Sequence, residues 1–216
     1  MISLCCITTF YLCAQSGGVQ QYYFHKTQTT ASTITPIAHY TTASNWYGEA
    51  RYNYDEENTF SVYGGKTFRS LSDFAVSATP LAGGMIGKMN GGSVGLNMDI
   101  EFRKLFLSSQ SQYSVSFEDR SNRYFFTWSE IGIQPLNWFY SGVACQQTNV
   151  YGIAGQFDPG YMIGFNLGKW TLPLYAFNPS KSNRYFIIGL LFSWEDKSQK
   201  SLQSVSETKP NKKISN

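Results

Sequence analysis

The sequence predicts an all-β fold: a closed, antiparallel, up-and-down transmembrane β-barrel of about ten strands, within a range of eight to twelve. Three observations predict it. Polar and apolar residues alternate with period two down most of the chain. Aromatic residues fill 17% of 216 positions while charged residues fill only 14%, a balance that suits interface girdles rather than a soluble core. From about the fourth strand on, short turns alternate with longer loops, as on the two rims of an outer-membrane barrel.

The chain length fits one domain. Its formal charge of +3 comes from interleaved basic and acidic residues without a basic stripe, which excludes nucleic acid as a partner. Residues 1–14 read as an export signal, because Leu4 to Cys13 is an apolar run too short to span a bilayer and Ala14 precedes polar Gln15-Ser16. The usual positive n-region is missing. Leu12 before Cys13 argues against a lipoprotein signal. Removing the segment takes Cys5, Cys6 and Cys13 with it and leaves Cys145, so neither an intramolecular disulfide nor a cysteine metal site is expected.

Residues 15–44 are rich in Thr, Ser and Gln around Tyr22-Tyr23-Phe24 and read as a periplasmic lead-in with at most one edge strand. The barrel is expected over 45–194. Its first strand opens where Glu49, Arg51 and Asn53 alternate with Ala50, Tyr52 and Tyr54. In the cleanest strand, Val94, Leu96, Met98, Ile100 and Phe102 share one face, and Gly95, Asn97, Asp99 and Glu101 the other. Later, Tyr161, Ile163, Phe165 and Leu167 face away from Met162, Gly164 and Asn166, and the last strand sets Phe186, Ile188, Leu190, Phe192 and Trp194 on one side. The pattern gives strands over 46–55, 59–68, 74–86, 93–102, 105–117, 124–134, 138–148, 161–167, 170–177 and 184–194. Short connections at Arg103-Lys104, Pro135-Leu136-Asn137 and Gly168-Lys169 alternate with longer ones over 118–123, 149–160 and 176–183, which puts both termini on the short-turn, periplasmic rim. Trp46, Trp128, Trp138, Trp170 and Trp194 fall near strand ends or aromatic clusters and are expected to be interface aromatics. The Ser-, Lys- and Gln-rich stretch 195–216 reads as a disordered polar tail.

The run Asn45-Trp46-Tyr47-Gly48-Glu49-Ala50-Arg51-Tyr52-Asn53-Tyr54 resembles the first barrel strand of a family of uncharacterised outer-membrane β-barrel proteins of Bacteroidota. The segments Phe106 to Tyr113 and Trp128-Ser129-Glu130-Ile131-Gly132 are similar to that family as well. The resemblance covers nearly the whole mature chain. It implies a barrel in the bacterial outer membrane and brings no catalytic residues with it.

Enzyme motifs fail on their chemistry. Gly91-Gly92-Ser93-Val94-Gly95 matches G-x-S-x-G, but a nucleophile elbow needs a strand entering a helix and a downstream His, and His25 and His39 both precede Ser93. The stretch Gly83–Lys88 imitates a phosphate loop one residue short, with Met89 where Ser or Thr must bind magnesium. Two His and scattered carboxylates give no metal spacing. No cofactor is expected, and the one esterase alternative requires His39 beside a Ser on the barrel wall.

What remains is a polar set opposite the apolar faces: Glu49, Arg51, Asn97, Asp99, Glu101, Gln110, Gln112 and Glu130. With apolar faces on lipid, these point into the lumen, either as a paired network filling a membrane anchor or as the lining of a small polar passage. The partners implied are the lipid bilayer, the barrel-assembly machinery, and a small polar solute or a surface partner held by loops such as 149–160. The alternative is a soluble periplasmic lipocalin-like barrel, with polarity inverted to hold a lipid.

Overall fold

A computed structural model describes residues 14–26, 32–70, 74–119 and 122–195. The strands are β1 (Ala14–Lys26), β2 (Ser32–Thr42), β3 (Trp46–Tyr52), β4 (Thr59–Lys66), β5 (Phe68–Ser70), β6 (Phe74–Gly87), β7 (Gly91–Phe102), β8 (Leu105–Ser116), β9 (Arg123–Leu136), β10 (Phe139–Val150), β11 (Gln156–Leu167), β12 (Trp170–Phe177) and β13 (Tyr185–Glu195). Apart from β4 and β5, sequence neighbours pair antiparallel, and β1 pairs with β13 from Ser16↔Glu195 to Lys26↔Tyr185, closing the sheet. Because β4 and β5 both pair with β6, they are one barrel strand interrupted at Thr67. The Thr67 hydroxyl meets that of Thr79 at 2.9 Å where the ladder breaks. The barrel therefore has twelve strands rather than about ten.

The two additional strands are β1 and β2, in the stretch expected to be a periplasmic lead-in. Their alternation is hard to read because the two faces differ little in polarity. In β2 the lumen receives Thr35, Ile37, His39 and Thr41, while Ile34, Pro36, Ala38 and Tyr40 face out. In β1 three consecutive aromatic residues hide the period. The segment resembling a first barrel strand is thus β3, and β1 and β2 fill the gap between β13 and β3.

Turns on the terminus rim are short: residues 43–45, Arg103-Lys104, Asn137-Trp138 and Gly168-Lys169. Gly168 and Arg103 take left-handed backbone (φ 70° and 55°), the conformation that two-residue hairpins demand. The opposite rim carries the longer connections 53–58, 117–122, 151–155 and 178–184. The loop expected over 149–160 is shorter, because β10 runs on to Val150 and β11 starts at Gln156. The expected signal over 1–14, except Ala14 in β1, lies outside the described residues, as does the tail beyond Glu195.

The outer surface is apolar. Val94, Leu96, Ile131, Tyr161, Ile163, Ile188 and Leu190 are exposed on it, among many other large hydrophobic side chains. A soluble lipocalin-like barrel would hide such groups, so the polarity is that of a membrane barrel. Three of the five Trp lie exposed on the terminus rim, Trp46 (58%), Trp138 (53%) and Trp170 (45%). Trp194 is half-buried there against Phe192. Trp128 departs from the expected girdle: at 7% exposure it points into the lumen. It shares the β9 parity of Phe126, Glu130 and Gly132, so the alternation that put Glu130 inside puts Trp128 inside too.

Candidate functional site

Twelve strands enclose more space than ordinary side chains fill, and large inward residues take it up in two unlike halves. One half is aromatic. Trp128 packs edge-on against Tyr175 and Phe177 (centroids 5.2 and 6.0 Å), Tyr22 lies 5.7 Å from it, and Phe177 stacks on Tyr185 at 5.0 Å. Met162 and Ile187 complete this cluster. Pairs of this kind contribute about 0.5–1.5 kcal/mol each beyond their buried area. The glycines opposite are spatial necessities: a side chain at Gly132 would run into the Phe106 ring, and one at Gly164 into Tyr140.

The other half is polar and centres on Arg51, which is 1% exposed. Its guanidinium donates to Glu49 through Nε and to Gln112 through Nη1 (2.8 Å), and Nη1 lies 3.5 Å from Asp55. The rings of Tyr54 and Tyr63 flank it at 4.7 and 4.5 Å, an arrangement that suits a planar delocalised cation. Tyr47 donates a second hydrogen bond to Glu49. Gln112 donates onward to Asp55 (2.5 Å) and to Ser114 (2.9 Å), and Ser114 to Ser93 (3.1 Å).

Asp55 and Tyr54 reach this cluster because the β3–β4 connection folds into the barrel. Asn53 and Asn58 bracket it, both with left-handed backbone (φ 57° and 52°), which Asn tolerates better than most residues. The Asn53 side chain accepts from the Asn58 amide (2.7 Å) and donates to the Ile34 carbonyl (3.1 Å), pinning the base of the loop. Between them, Tyr54 donates to Gln110, Ser61 donates to Asp55, and the Tyr124 hydroxyl donates to the Asp55 carbonyl (3.0 Å). Burial pushes the Tyr54 phenol pKa upward, so it stays a neutral donor. At the loop's outer edge Lys88 donates to Glu56 (2.9 Å), which raises the lysine pKa in an exposed pair of little energetic weight.

Beneath this plug a cavity of about 420 Å³ extends toward the terminus rim. Its wall includes Glu49, Asn97, Asp99, Gln110 and Glu130 of the expected polar set, with Tyr54 beside Gln110. Asp99 accepts from Ser108 (2.8 Å) and Ser77 (3.2 Å), and Glu130 from Tyr175 (2.8 Å). Glu101 stands apart at the rim, in a second hollow with Arg103 and Lys104. Arg51 and Gln112 lie in the plug itself. The sequence pattern missed Tyr54 and Asp55, because the left-handed turn at Asn53 breaks the alternation that had assigned Tyr54 to the lipid face. The signal available was the Asn53/Asn58 bracket around Asp55-Glu56-Glu57.

The esterase arrangement does not form among the described residues. His39 points into the cavity and stacks on Tyr47 (6.2 Å), whereas the Ser93 hydroxyl donates to the Tyr113 carbonyl (3.1 Å). Among the described residues no three His, Cys, Asp or Glu side chains gather into a group that would hold a metal ion.

No protein-family model matches the chain, and no curated protein does either. Solved structures do. The chain is similar to a KdgM porin at a TM-score of 0.60 and 10% identity, over 82% of this chain and 99% of the porin. It is also similar to a KdgM porin in complex with disordered oligogalacturonate, at 0.58 and 12% over the same shares. Identities this low establish the fold alone. That fold, its closed barrel and its apolar belt belong to the bacterial outer membrane.

Proposed function

We propose that this chain is a narrow, plugged passage for small polar solutes across the outer membrane, with no enzymatic step, and that it prefers neutral or cationic solutes. The observation that carries the reading is the polar cavity that runs from the terminus rim and ends at the Arg51–Asp55 plug. Among its described lining residues the carboxylates Glu49, Asp99 and Glu130 face a single guanidinium, Arg69, besides His39. Arg51, just above, is already shared between Glu49 and Asp55. A polyanion such as the oligogalacturonate held by the KdgM porin would meet like charge here. A second reading, a sealed membrane anchor, draws on the complete burial of Arg51.

On this reading residues 1–14 direct export, the barrel-assembly machinery inserts residues 15–195, and the polar tail stays periplasmic. Membership of the Bacteroidota barrel family fits the strand resemblance and is part of the same proposal.

Single-channel recording in planar bilayers tests the function. The passage predicts small, cation-selective openings that lose selectivity when Glu101 and Glu130 are changed to Gln. Unchanged conductance and reversal potential in those variants refute the lining assignment, and a silent barrel in every condition favours the anchor.

A further inference from the structure

The lipid-facing side of the barrel is mostly apolar: on β1 the outward Gln21 turns its amide back to the Tyr22 carbonyl (2.7 Å), and the broad polar exception spans three adjacent strands. Inward residues of β8, β9 and β10 include Gln110, Trp128 and Ala144, so the opposite parity faces outward. At mid-height that outer face holds two consecutive polar layers. One is Ser109, Ser129 and Cys145, in register across the strands; the next is Ser111, Thr127 and Gln147. Below them the same face carries Leu107, Ile131 and Val143, and above them Tyr113 and Phe125, with Asn149 at the β10 end of that layer. With about 3.4 Å per residue and a tilt near 40°, these layers lie roughly 10 Å inside either rim, within the hydrocarbon belt.

Hydrocarbon offers no hydrogen bonds, so polar side chains there must pair within the protein or with another protein. Ser109 meets Ser129 at 2.9 Å and Ser111 meets Thr127 at 2.7 Å. The Gln147 side chain has no hydrogen-bond partner among the described residues. All six are half-buried, and they are flanked by the larger, exposed Val94 and Leu96 of β7 on one side and Phe157 and Tyr161 of β11 on the other. The result is a shallow polar trough between two apolar ridges.

We propose that this trough is where two copies of the chain meet in the membrane. Copies inserted in one orientation can be related only by an axis along the membrane normal, which brings each residue to its own depth on the partner. The polar layers then meet polar layers, and the apolar and aromatic layers meet their like. Hydroxyl and amide groups both donate and accept, so the stripe is complementary to itself, and small side chains let the two sheets approach closely.

The test uses the full chain in outer membranes. A short bis-maleimide is expected to give a band of twice the monomer mass, lost in Cys145→Ser. Extracted in mild detergent, the protein is expected to dimerise by native mass spectrometry. A triple variant, Thr127→Val, Ser129→Ala and Gln147→Leu, is compatible with lipid and should still give a heat-modifiable barrel. Its association should weaken by about tenfold or more, the loss of a few membrane hydrogen bonds. A monomer at every concentration without a Cys145-dependent band overturns the proposal. So does a cross-linked band of any other mass, or a triple variant that associates unchanged.

Discussion

Replacing Arg51 by methionine would remove the one cation that holds the plug while keeping much of the side chain's apolar stem volume. The guanidinium has 0% side-chain exposure, and its carboxylate neighbours Glu49 and Asp55 have 3% and 1%. Deleting one partner of such a buried set costs about 3–5 kcal/mol, because the carboxylates left behind keep only neutral donors, Tyr47 on Glu49 and Ser61 and Gln112 on Asp55. The Tyr54 and Tyr63 rings lose a cation worth about 0.5–2 kcal/mol each, although these terms overlap with the first. A net destabilisation of about 4 kcal/mol is therefore expected. Reversible urea unfolding in lipid vesicles, followed by the heat-modifiable band, measures it. Adding Glu49→Gln to Arg51→Met should recover roughly 1–3 kcal/mol as a coupling energy. A loss below about 1 kcal/mol, with no recovery in the double variant, would show that Arg51 does not bear on the plug and would refute the argument.

Two further expectations follow from the same structure. Trp128→Ala should cost about 3–5 kcal/mol, as a cavity left in the lumenal aromatic cluster, whereas Trp138→Ala on the outer rim should cost far less; equal effects in urea titrations would contradict the inward placement of Trp128. Tyr54→Phe with Asp55→Asn removes the plug's tie to Gln110 and weakens its hold on Arg51, so planar-bilayer recordings should show a larger or more frequently open conductance than the wild type.

Much of the barrel was legible because a membrane barrel imposes a period of two on every strand and polarises the two faces. Where those faces differ strongly, as along Val94–Phe102 or Tyr185–Trp194, ends and directions follow from the alternation. Where they differ weakly, the signal vanishes. The lumen accepts Ile37 beside Thr35, and the lipid face accepts Pro36 and Ala38, so β2 looked like an irregular lead-in. The polar set was readable for a similar reason: Glu49, Arg51, Asp99 and Glu130 share the parity of a face that cannot meet lipid.

Parity says that a residue points inward but not what it meets across the lumen. Arg51 and Gln112 are 61 positions apart, and Tyr54 and Gln110 are 56 apart; only closure of the sheet brings them together. The same holds for Trp128, which as a residue type suits a girdle as well as a core. The sequence by itself determined the fold class, the division into a short-turn rim and a long-loop rim, and the inward polar residues, since these depend on local period and turn length. The tertiary structure decided the strand number, the aromatic and polar halves of the lumen and the inward fold of the 53–58 connection. These rest on contacts across the barrel and on a backbone reversal at Asn53, which no local alternation records.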